Sequence, residues 1–242
     1  MSLSAPLITD STIEAATWLK KGQLLAYPTE SVWGIGCDPF NKQAVIQLLD
    51  IKQRPIEKGM IVVTDSPSRI TALLKGLSVT QRQRVLDSWQ TDSKDTTAKQ
   101  AHTWLLPVSK KLSIAIPAWI TGAHNSVAVR VIDHPLVKQL CAQMASASNP
   151  YGFVVSTSCN PSGQSPALSL SEAQGYFLGH HANLNECVGY LKGETLGYHL
   201  PSQIGDALTV KIIRWFDRQN VVSLSLLRVT KSKHLHLSPC FH

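Results

Sequence analysis

Short apolar runs alternate with segments of helical periodicity along this chain of 242 residues. Apolar side chains recur at helical spacing in five segments, at about 12–21, 44–49, 67–76, 80–89 and 135–144. Apolar runs predict strands at 24–27, 60–63, 127–132, 153–155 and 210–216. Strands that alternate with helices indicate an α/β class, with a twisted open sheet, mixed or mostly parallel, and flanking helices.

Capping residues set the predicted helix starts. Ser11 and Glu14 have the spacing of a capping box, so the first helix is expected to begin at residue 12. Asn41 is expected to cap the second helix, which ends near Lys52. Ser171 is expected to cap a short helix that runs to about residue 178.

A basic stretch follows the second predicted helix, where Lys52, Arg54 and Lys58 fall within seven residues. Pro55 prevents the helix from continuing and favours an extended backbone at Arg54, so these cations lie on a loop. Cations at a helix C-terminus interact favourably with the helix dipole, and this explanation is the better one for the stretch by itself. The alternative is an anion site, which other segments of the chain favour.

Two glycines, Gly34 and Gly36, follow the strand predicted at 24–27, which Pro28 ends. A dinucleotide-binding fingerprint needs a third glycine three residues later and a helix that opens there, but residue 39 is proline. We therefore expect the glycines to permit a turn or a close approach of the backbone to a ligand.

Two further segments carry polar groups. Arg130 lies within the apolar run 127–132, and a buried arginine needs an anion, which either a protein carboxylate or a ligand could provide. The segment 156–163, STSCNPSG, follows the strand at 153–155 and is predicted to form a hydrogen-bonding loop. Such a loop either satisfies its own backbone or binds a phosphate or the polar edge of a nucleotide.

Composition narrows the function classes. A hydrophobic fraction of 43% and a charged fraction of 16% are typical of a globular protein. The formal charge of +7 suggests an anionic ligand, a nucleic-acid partner or a basic surface. Five cysteines without a CxxC pair argue against a disulfide framework and a structural zinc site. The sequence has neither a signal-peptide pattern nor an apolar run of roughly 20 residues, so a cytoplasmic location without membrane insertion is expected.

The candidate residues offer charge neutralisation and no evident protein nucleophile. The sequence suggests no Ser-His-Asp arrangement, no paired carboxylates and no metal cluster. Nucleotidyl or phosphoryl transfer needs mainly positioning and electrostatic stabilisation, so this chemistry fits the residues best.

Five segments in order resemble the YrdC/TsaC family of L-threonylcarbamoyladenylate synthases. They are PTESVWGIG, KQRPIEKG, SVAVRV, STSCNPSG and PSQIGDALT, and they span about residues 8–216. The resemblance implies a YrdC-like fold with a concave basic cavity. It also implies synthesis of threonylcarbamoyl-AMP from L-threonine, bicarbonate or CO2 and ATP, with release of pyrophosphate, for threonylcarbamoyladenosine modification of tRNA.

The same resemblance implies roles for particular residues. Lys52 and Arg54 would be catalytic, and the ATP site would comprise Lys52, Arg54, Lys58, Ser126, Asn160 and Ser202. Arg130 would hold the threonine carboxylate, with Thr29 and Ser158 nearby. Mg²⁺ would accompany ATP, with no metal site in the protein itself. The product would pass to TsaD, acting with TsaB and TsaE, and tRNA is a further candidate partner.

The sequence also predicts a domain organisation. Residues 1–216 would form the catalytic domain, with a polar insertion at about 90–104 in place of the Pro-Gly-Pro segment of the family, and 217–242 would form a tail. The main alternative is a non-catalytic RNA-binding or ribosome-associated module that uses the same basic concavity, although aromatic residues are not interleaved with the basic ones. A carbamoyltransferase role, as in hydrogenase maturation, is disfavoured because those related domains lie in far longer chains.

Overall fold

The computed structural model describes residues 7–90, 99–177, 188–200, 202–216 and 221–223, with the backbone alone at 214–216 and 221–223. The described strands are β1 (Leu7–Thr9), β2 (Leu24–Pro28), β3 (Trp33–Gly36), β4 (Ile61–Thr64), β5 (His102–Pro107), β6 (Ser126–Val131), β7 (Val154–Ser158), β8 (Val188–Leu191), β9 (Ser202–Asp206), β10 (Lys211–Phe216) and β11 (Val221–Ser223). The described helices are α1 (Thr12–Lys20), α2 (Lys42–Ile51), α3 (Thr71–Leu74), α4 (Val79–Trp89), α5 (Ala118–Thr121), α6 (Pro135–Met144) and α7 (Leu170–Phe177).

The described strands form one open mixed sheet in the order β1-β8-β2-β3-β7-β4-β6-β5-β9-β10-β11. Parallel pairing joins β8 to β1 and β2, β4 to β6, and β5 to β9, and the other neighbours are antiparallel. The predicted α/β class with a mixed open sheet and flanking helices is therefore confirmed.

At two of the three helices with a predicted N-cap, the structure has the predicted residue as the cap. The Ser11 side chain accepts a hydrogen bond from the backbone N–H of Glu14, and that of Asn41 accepts one from Ala44. The prediction for Ser171 was wrong, because the Ser169 side chain accepts the bond from the Glu172 N–H at 3.2 Å. Both serines precede the acidic residue closely, so the sequence did not distinguish them.

Two core clusters cover opposite faces of the sheet. The larger cluster packs α2, α3, α4 and α7 against inward residues such as Val62, Val127 and Val129. The smaller cluster packs α1 and α6 against the other face, at residues such as Tyr27 and Val63. Helix α1 lies on β2 and β8, and α6 lies on β4, so the same face continues over β6 and β5 beyond these two helices.

Gly34 and Gly36 lie inside strand β3, which pairs antiparallel with β2 and β7. The predicted turn was wrong because both glycines lie in a strand, whereas a close approach of their backbone to a ligand stays a prediction. A Cβ atom on Gly36 would lie 1.7 Å from the Val155 carbonyl oxygen, so the glycine is needed for the close approach of β3 to β7.

We expect Gly36→Ala to lower the free energy of unfolding by about 3 kcal/mol, because overpacking at a strand interface forces the backbone apart. Urea unfolding followed by circular dichroism measures this change. Gly175→Ala is the control, since a Cβ atom at Gly175 would have no other atom within 4 Å and alanine favours helix α7. Equal stability of the two variants would contradict the explanation.

Two segments predicted as additions lie partly outside the described residues. Residues 91–98 of the predicted polar insertion lie outside the described residues, and His102 to Trp104 belong to strand β5. In the tail from 217 onward, β11 pairs antiparallel with β10. The domain boundary at 216 stays a prediction. No helix among the described residues is long and apolar enough to cross a membrane.

Candidate active site

Half-buried small and polar side chains line part of the sheet face that carries the smaller core cluster. Side chains alternate along a strand, and Val127 and Val129 point into the larger core, so Ser126 and Arg130 of β6 lie on the opposite face. The same alternation places Ser156 and Ser158 of β7 on that face, because Val154 packs in the smaller core there. We call the surface formed by Ser126, Ala128, Arg130, Ser156 and Ser158 the open face.

Lys52 joins the basic stretch to the STSCNPSG segment. It is the C-cap of α2, and its Nζ donates hydrogen bonds to the Ser158 carbonyl at 2.9 Å and to the Asn160 carbonyl at 2.6 Å. A third bond, of 3.0 Å, reaches the Asn160 side-chain oxygen. Lys52 therefore turns away from its own helix end, and these contacts do not match the helix-dipole explanation.

The charge on Lys52 is sensitive to its surroundings. Burial, with a contribution from the nearby Arg54 charge, lowers the pKa of the Lys52 ammonium to about 8. The oxygens of Ser158 and Asn160 are its present partners, and all three accept hydrogen bonds from the charged form. An anion placed beside this ammonium would be stabilised by a short-range, partly desolvated charge interaction.

Arg54 and Lys58 occupy the loop that follows. The Arg54 guanidinium donates from Nε and Nη2 to the Gly59 carbonyl, at 3.0 and 2.9 Å, and so closes the loop on itself. Lys58 is exposed at the end of a 3₁₀ turn, Ile56–Lys58. Gly59 has a φ of 62°, and a Cβ atom there would meet the Thr121 carbonyl at 2.8 Å, so only glycine fits this turn comfortably.

Asn160 organises the predicted hydrogen-bonding loop. It is buried, accepts from Lys52, and donates from Nδ2 to the carbonyls of Pro161 and Gln164 at 3.0 and 2.5 Å. The loop is shorter than predicted, since Ser156 to Ser158 belong to strand β7. Their hydroxyls are thus presented by a strand, which holds them more rigidly than a loop would.

Arg130 has a protein carboxylate beside it. Its Nη1 lies 3.7 Å from Oε2 of Glu30, a residue only 2% exposed, and its Nε donates to the Thr103 hydroxyl at 3.1 Å. Sequence reasoning expected an anion for Arg130 but did not identify Glu30. The sequence feature that could have identified it is the position of this acid, directly after Thr29 at the end of a buried strand.

The remaining predicted residues lie at three places around the open face. Thr29 is buried, and its hydroxyl donates to the Val32 carbonyl at 2.6 Å, so it fixes the turn between β2 and β3. Ser126 begins β6 opposite Pro107, and Ser202 begins β9 beyond β5. The tertiary structure thus directly joins Lys52 to Ser158 and Asn160, whereas Ser202 lies toward the other end of the sheet.

A small polar cavity adjoins Glu30. Its walls include Glu30, Trp89, His102, Val131, Asp133 and Tyr198. Burial and the Arg130 charge lower the pKa of His102. Burial alone would raise the pKa of Asp133, but bonds from Tyr198 and Lys138 hold it below its usual value.

A family model named for Sua5, YciO and YrdC, described as telomere recombination, matches residues 17–215. The chain belongs to the Sua5/YciO/YrdC family. The predicted resemblance to the YrdC proteins is thereby confirmed.

Curated members of the Sua5/YciO/YrdC family are similar over most of the chain. A threonylcarbamoyl-AMP synthase of Psychrobacter arcticus is 85% identical over 214 residues, which are 88% of this chain and 100% of the relative. A threonylcarbamoyl-AMP synthase of Acinetobacter baylyi is 49% identical over 208 residues, 86% of this chain and 98% of the relative. Relatives with this name therefore match more than four fifths of this chain.

The fold of a solved member is also similar. The crystal structure of P. abyssi Sua5 complexed with L-threonine superposes with a TM-score of 0.64 at 24% sequence identity. The match covers 86% of this chain and 56% of that one. At this identity the likeness concerns the fold, and it agrees with the twisted open sheet described above.

Within this Sua5/YciO/YrdC fold, the described site can neutralise and position anions. Lys52 bonds the Ser158 carbonyl at one end of the open face, Arg54 follows two residues later, and Arg130 lies within this face on β6. The hydroxyl groups of Ser126, Ser156 and Ser158 lie on the same face. Such a surface suits a polyanion and a carboxylate bound side by side.

Proposed function

We propose that this protein synthesises threonylcarbamoyl-AMP from L-threonine, bicarbonate or CO2 and ATP, with release of pyrophosphate. The observation that carries the proposal is 85% identity along the full length of a relative named threonylcarbamoyl-AMP synthase. The joining of Lys52 to the Ser158–Asn160 segment supports it, because one cation then serves both motifs expected to meet the nucleotide.

The site residues divide between the two substrates. Lys52, Arg54 and Lys58 bind the phosphates, and Ser126, Asn160 and Ser202 contact the nucleotide. Arg130 binds the threonine carboxylate, with Thr29 and Ser158 beside the amino acid. Thr29 acts through the turn that its hydroxyl closes, since that hydroxyl is already bonded to Val32.

The reaction requires no nucleophile from the protein. The threonine amine is first carboxylated to a carbamate; a carbamate oxygen then attacks the α-phosphorus, and the bond from that phosphorus to pyrophosphate breaks. Bringing two anions together and stabilising the developing charge on pyrophosphate is the task of the cations, above all Lys52 and Arg54.

Mg²⁺ accompanies ATP in this proposal. The described residues include no group of three or more His, Cys, Asp or Glu side chains that could hold a metal ion. In this proposal the phosphates and water supply most of its ligands, as is usual for magnesium nucleotides.

We expect the affinity for ATP to fall by about tenfold per pH unit as the pH rises above about 8. Below this pH the Lys52 ammonium is charged, and bound phosphate stabilises that charge, so ATP binding above pH 8 requires proton uptake. Isothermal titration with a non-hydrolysable ATP analogue between pH 7 and 9.5 measures the effect. A Lys52→Arg variant stays charged, so its profile should be flat; an equally steep profile would assign the titration to another group.

Pyrophosphate release tests the proposed function. The full chain should release pyrophosphate from ATP only when L-threonine and bicarbonate are both present. Release that does not depend on threonine would overturn the proposal. Tight, salt-sensitive tRNA binding by a protein inert toward ATP would instead select the RNA-binding alternative, which the names of the relatives do not favour.

The product places the protein early in tRNA modification. Threonylcarbamoyl-AMP is a reactive mixed anhydride, so a second activity must transfer its acyl group to adenosine. We propose that TsaD, with TsaB and TsaE, performs this transfer on tRNA.

A further inference from the structure

Glu30 is a buried carboxylate with unused hydrogen-bonding capacity. Its Oε1 accepts from the Asp133 N–H at 2.9 Å, whereas its Oε2 accepts no hydrogen bond from any described residue. The residue is 2% exposed. Buried polar atoms nearly always have a partner, so an unpartnered carboxylate oxygen needs an explanation.

A structural salt bridge does not provide that explanation. The separation of 3.7 Å between Glu30 Oε2 and Arg130 Nη1 exceeds the roughly 2.7–2.9 Å of a charge-assisted hydrogen bond. Within the described residues, the one hydrogen bond of Arg130 is that from Nε to Thr103. The carboxylate and the guanidinium thus neutralise each other at a distance, and each retains free hydrogen-bonding positions.

The other carboxylate at this cavity is fully engaged. Asp133 bonds Lys138 at 3.0 Å, pairs with Lys99 at 3.4 Å, and accepts a short hydrogen bond from the Tyr198 hydroxyl. Tyr198 also lies in the 192–200 segment, whose backbone N–H groups at Leu196 and Tyr198 donate to the carbonyls of Thr29 and Glu30. These contacts fix Glu30 in place, at the wall of the cavity, and none of them engages Oε2.

We infer that Glu30 binds the ammonium group of the amino-acid substrate while Arg130 binds its carboxylate. An acid and a guanidinium side by side match the two charges of an α-amino acid zwitterion. The ligand's ammonium group would complete the hydrogen bonds of Glu30, and its carboxylate would complete those of Arg130. Glu30 is therefore a specificity-determining residue that selects an amine-bearing carboxylate over a simple carboxylate. This inference rests on the proposed function, which supplies threonine as the ligand.

The test compares two ligands by isothermal titration with the full chain. One is L-threonine, and the other is 3-hydroxybutyrate, which has the carboxylate and hydroxyl of threonine but no amine. In Glu30→Gln we expect the Kd for threonine to rise by about tenfold or more, since a charge-assisted bond is lost. The Kd for 3-hydroxybutyrate should stay constant or fall, because a repulsive carboxylate has been removed.

Controls separate this role from a structural one. Asp133→Asn alters the engaged carboxylate of the same cavity, and it should leave the ratio of the two Kd values unchanged. An equal weakening of both ligands in Glu30→Gln, or unchanged threonine binding, would overturn the inference. An ATP-analogue titration and thermal unfolding establish that the variant is folded.

If Glu30→Gln does not fold, the wild-type protein allows a second measurement. It should bind threonine about tenfold or more tightly than either 3-hydroxybutyrate or threonine methyl ester, and equal binding of threonine and 3-hydroxybutyrate would overturn the inference. If the wild-type protein does not release pyrophosphate, the proposed function is contradicted. If it does, but Glu30→Gln binds threonine as tightly as the wild type, this inference alone is contradicted.

Discussion

Lys52→Ala should lower the rate of threonine-dependent pyrophosphate release by about 10²–10³-fold, the loss typical of removing one preorganised charge at a reacting centre. The ammonium donates to the carbonyls of both Ser158 and Asn160, so the substitution removes the charge that joins the basic stretch to the STSCNPSG segment. A steady-state pyrophosphate assay with saturating threonine, bicarbonate and Mg²⁺-ATP measures the effect. The loss should appear in kcat and in the KM for ATP, and less in the KM for threonine.

Lys20→Ala is a matched control for this substitution. Lys20 also ends a helix and donates to a distant backbone carbonyl, that of Gln143 at 2.8 Å, but it lies on α1, away from the open face. Its replacement should leave the rate within about twofold of wild type, as for most surface changes. A comparable loss in both variants, or a loss of circular dichroism in Lys52→Ala, would indicate that Lys52 serves the fold instead of the reaction.

Arg130→Met should lower the free energy of unfolding by about 3 kcal/mol, because it leaves the buried Glu30 carboxylate without a counter-charge. Methionine keeps much of the apolar volume, so packing contributes little to the change. Chemical unfolding in urea measures this loss, and threonine titration should show binding reduced beyond detection at millimolar concentration.

The double variant Glu30→Gln, Arg130→Met tests the cause. With both charges removed, no uncompensated charge remains, so most of the lost stability should return while threonine binding does not. If the losses of stability in the two single variants simply add in the double variant, the two side chains contribute independently. That result would contradict the explanation that Arg130 stabilises the buried charge of Glu30.

Local signals predicted the helices of this fold better than its strands, because capping and helical periodicity act within a few residues. The apolar spacing after Asn41 and the proline at 55 place the end of α2 and the loop cations correctly. Ser169 displaced Ser171 as a cap because both satisfy the same short-range pattern. The turn predicted at the glycines of β3 was wrong, since the obstacle to a side chain at Gly36 is the Val155 carbonyl, which lies more than a hundred residues away.

Site geometry depended on contacts between distant segments. Lys52 and Asn160 are 108 positions apart, and no periodicity connects them. The requirement for an anion beside Arg130 was evident from its apolar surroundings, but the choice of Glu30 over other acids depended on how β2 and β6 are placed in the sheet.

By itself, the sequence determined the α/β class, the approximate positions of most described helices and of five of the eleven described strands, the family resemblance, and the residue types expected at the site. Each of these follows from local periodicity or from motif identity. The tertiary structure alone decided that Lys52 joins Asn160, that Ser156 and Ser158 are presented by a strand, and that Glu30 lies beside Arg130 with one oxygen free. Those features arise from sheet order and register, which set distances between residues far apart in the chain.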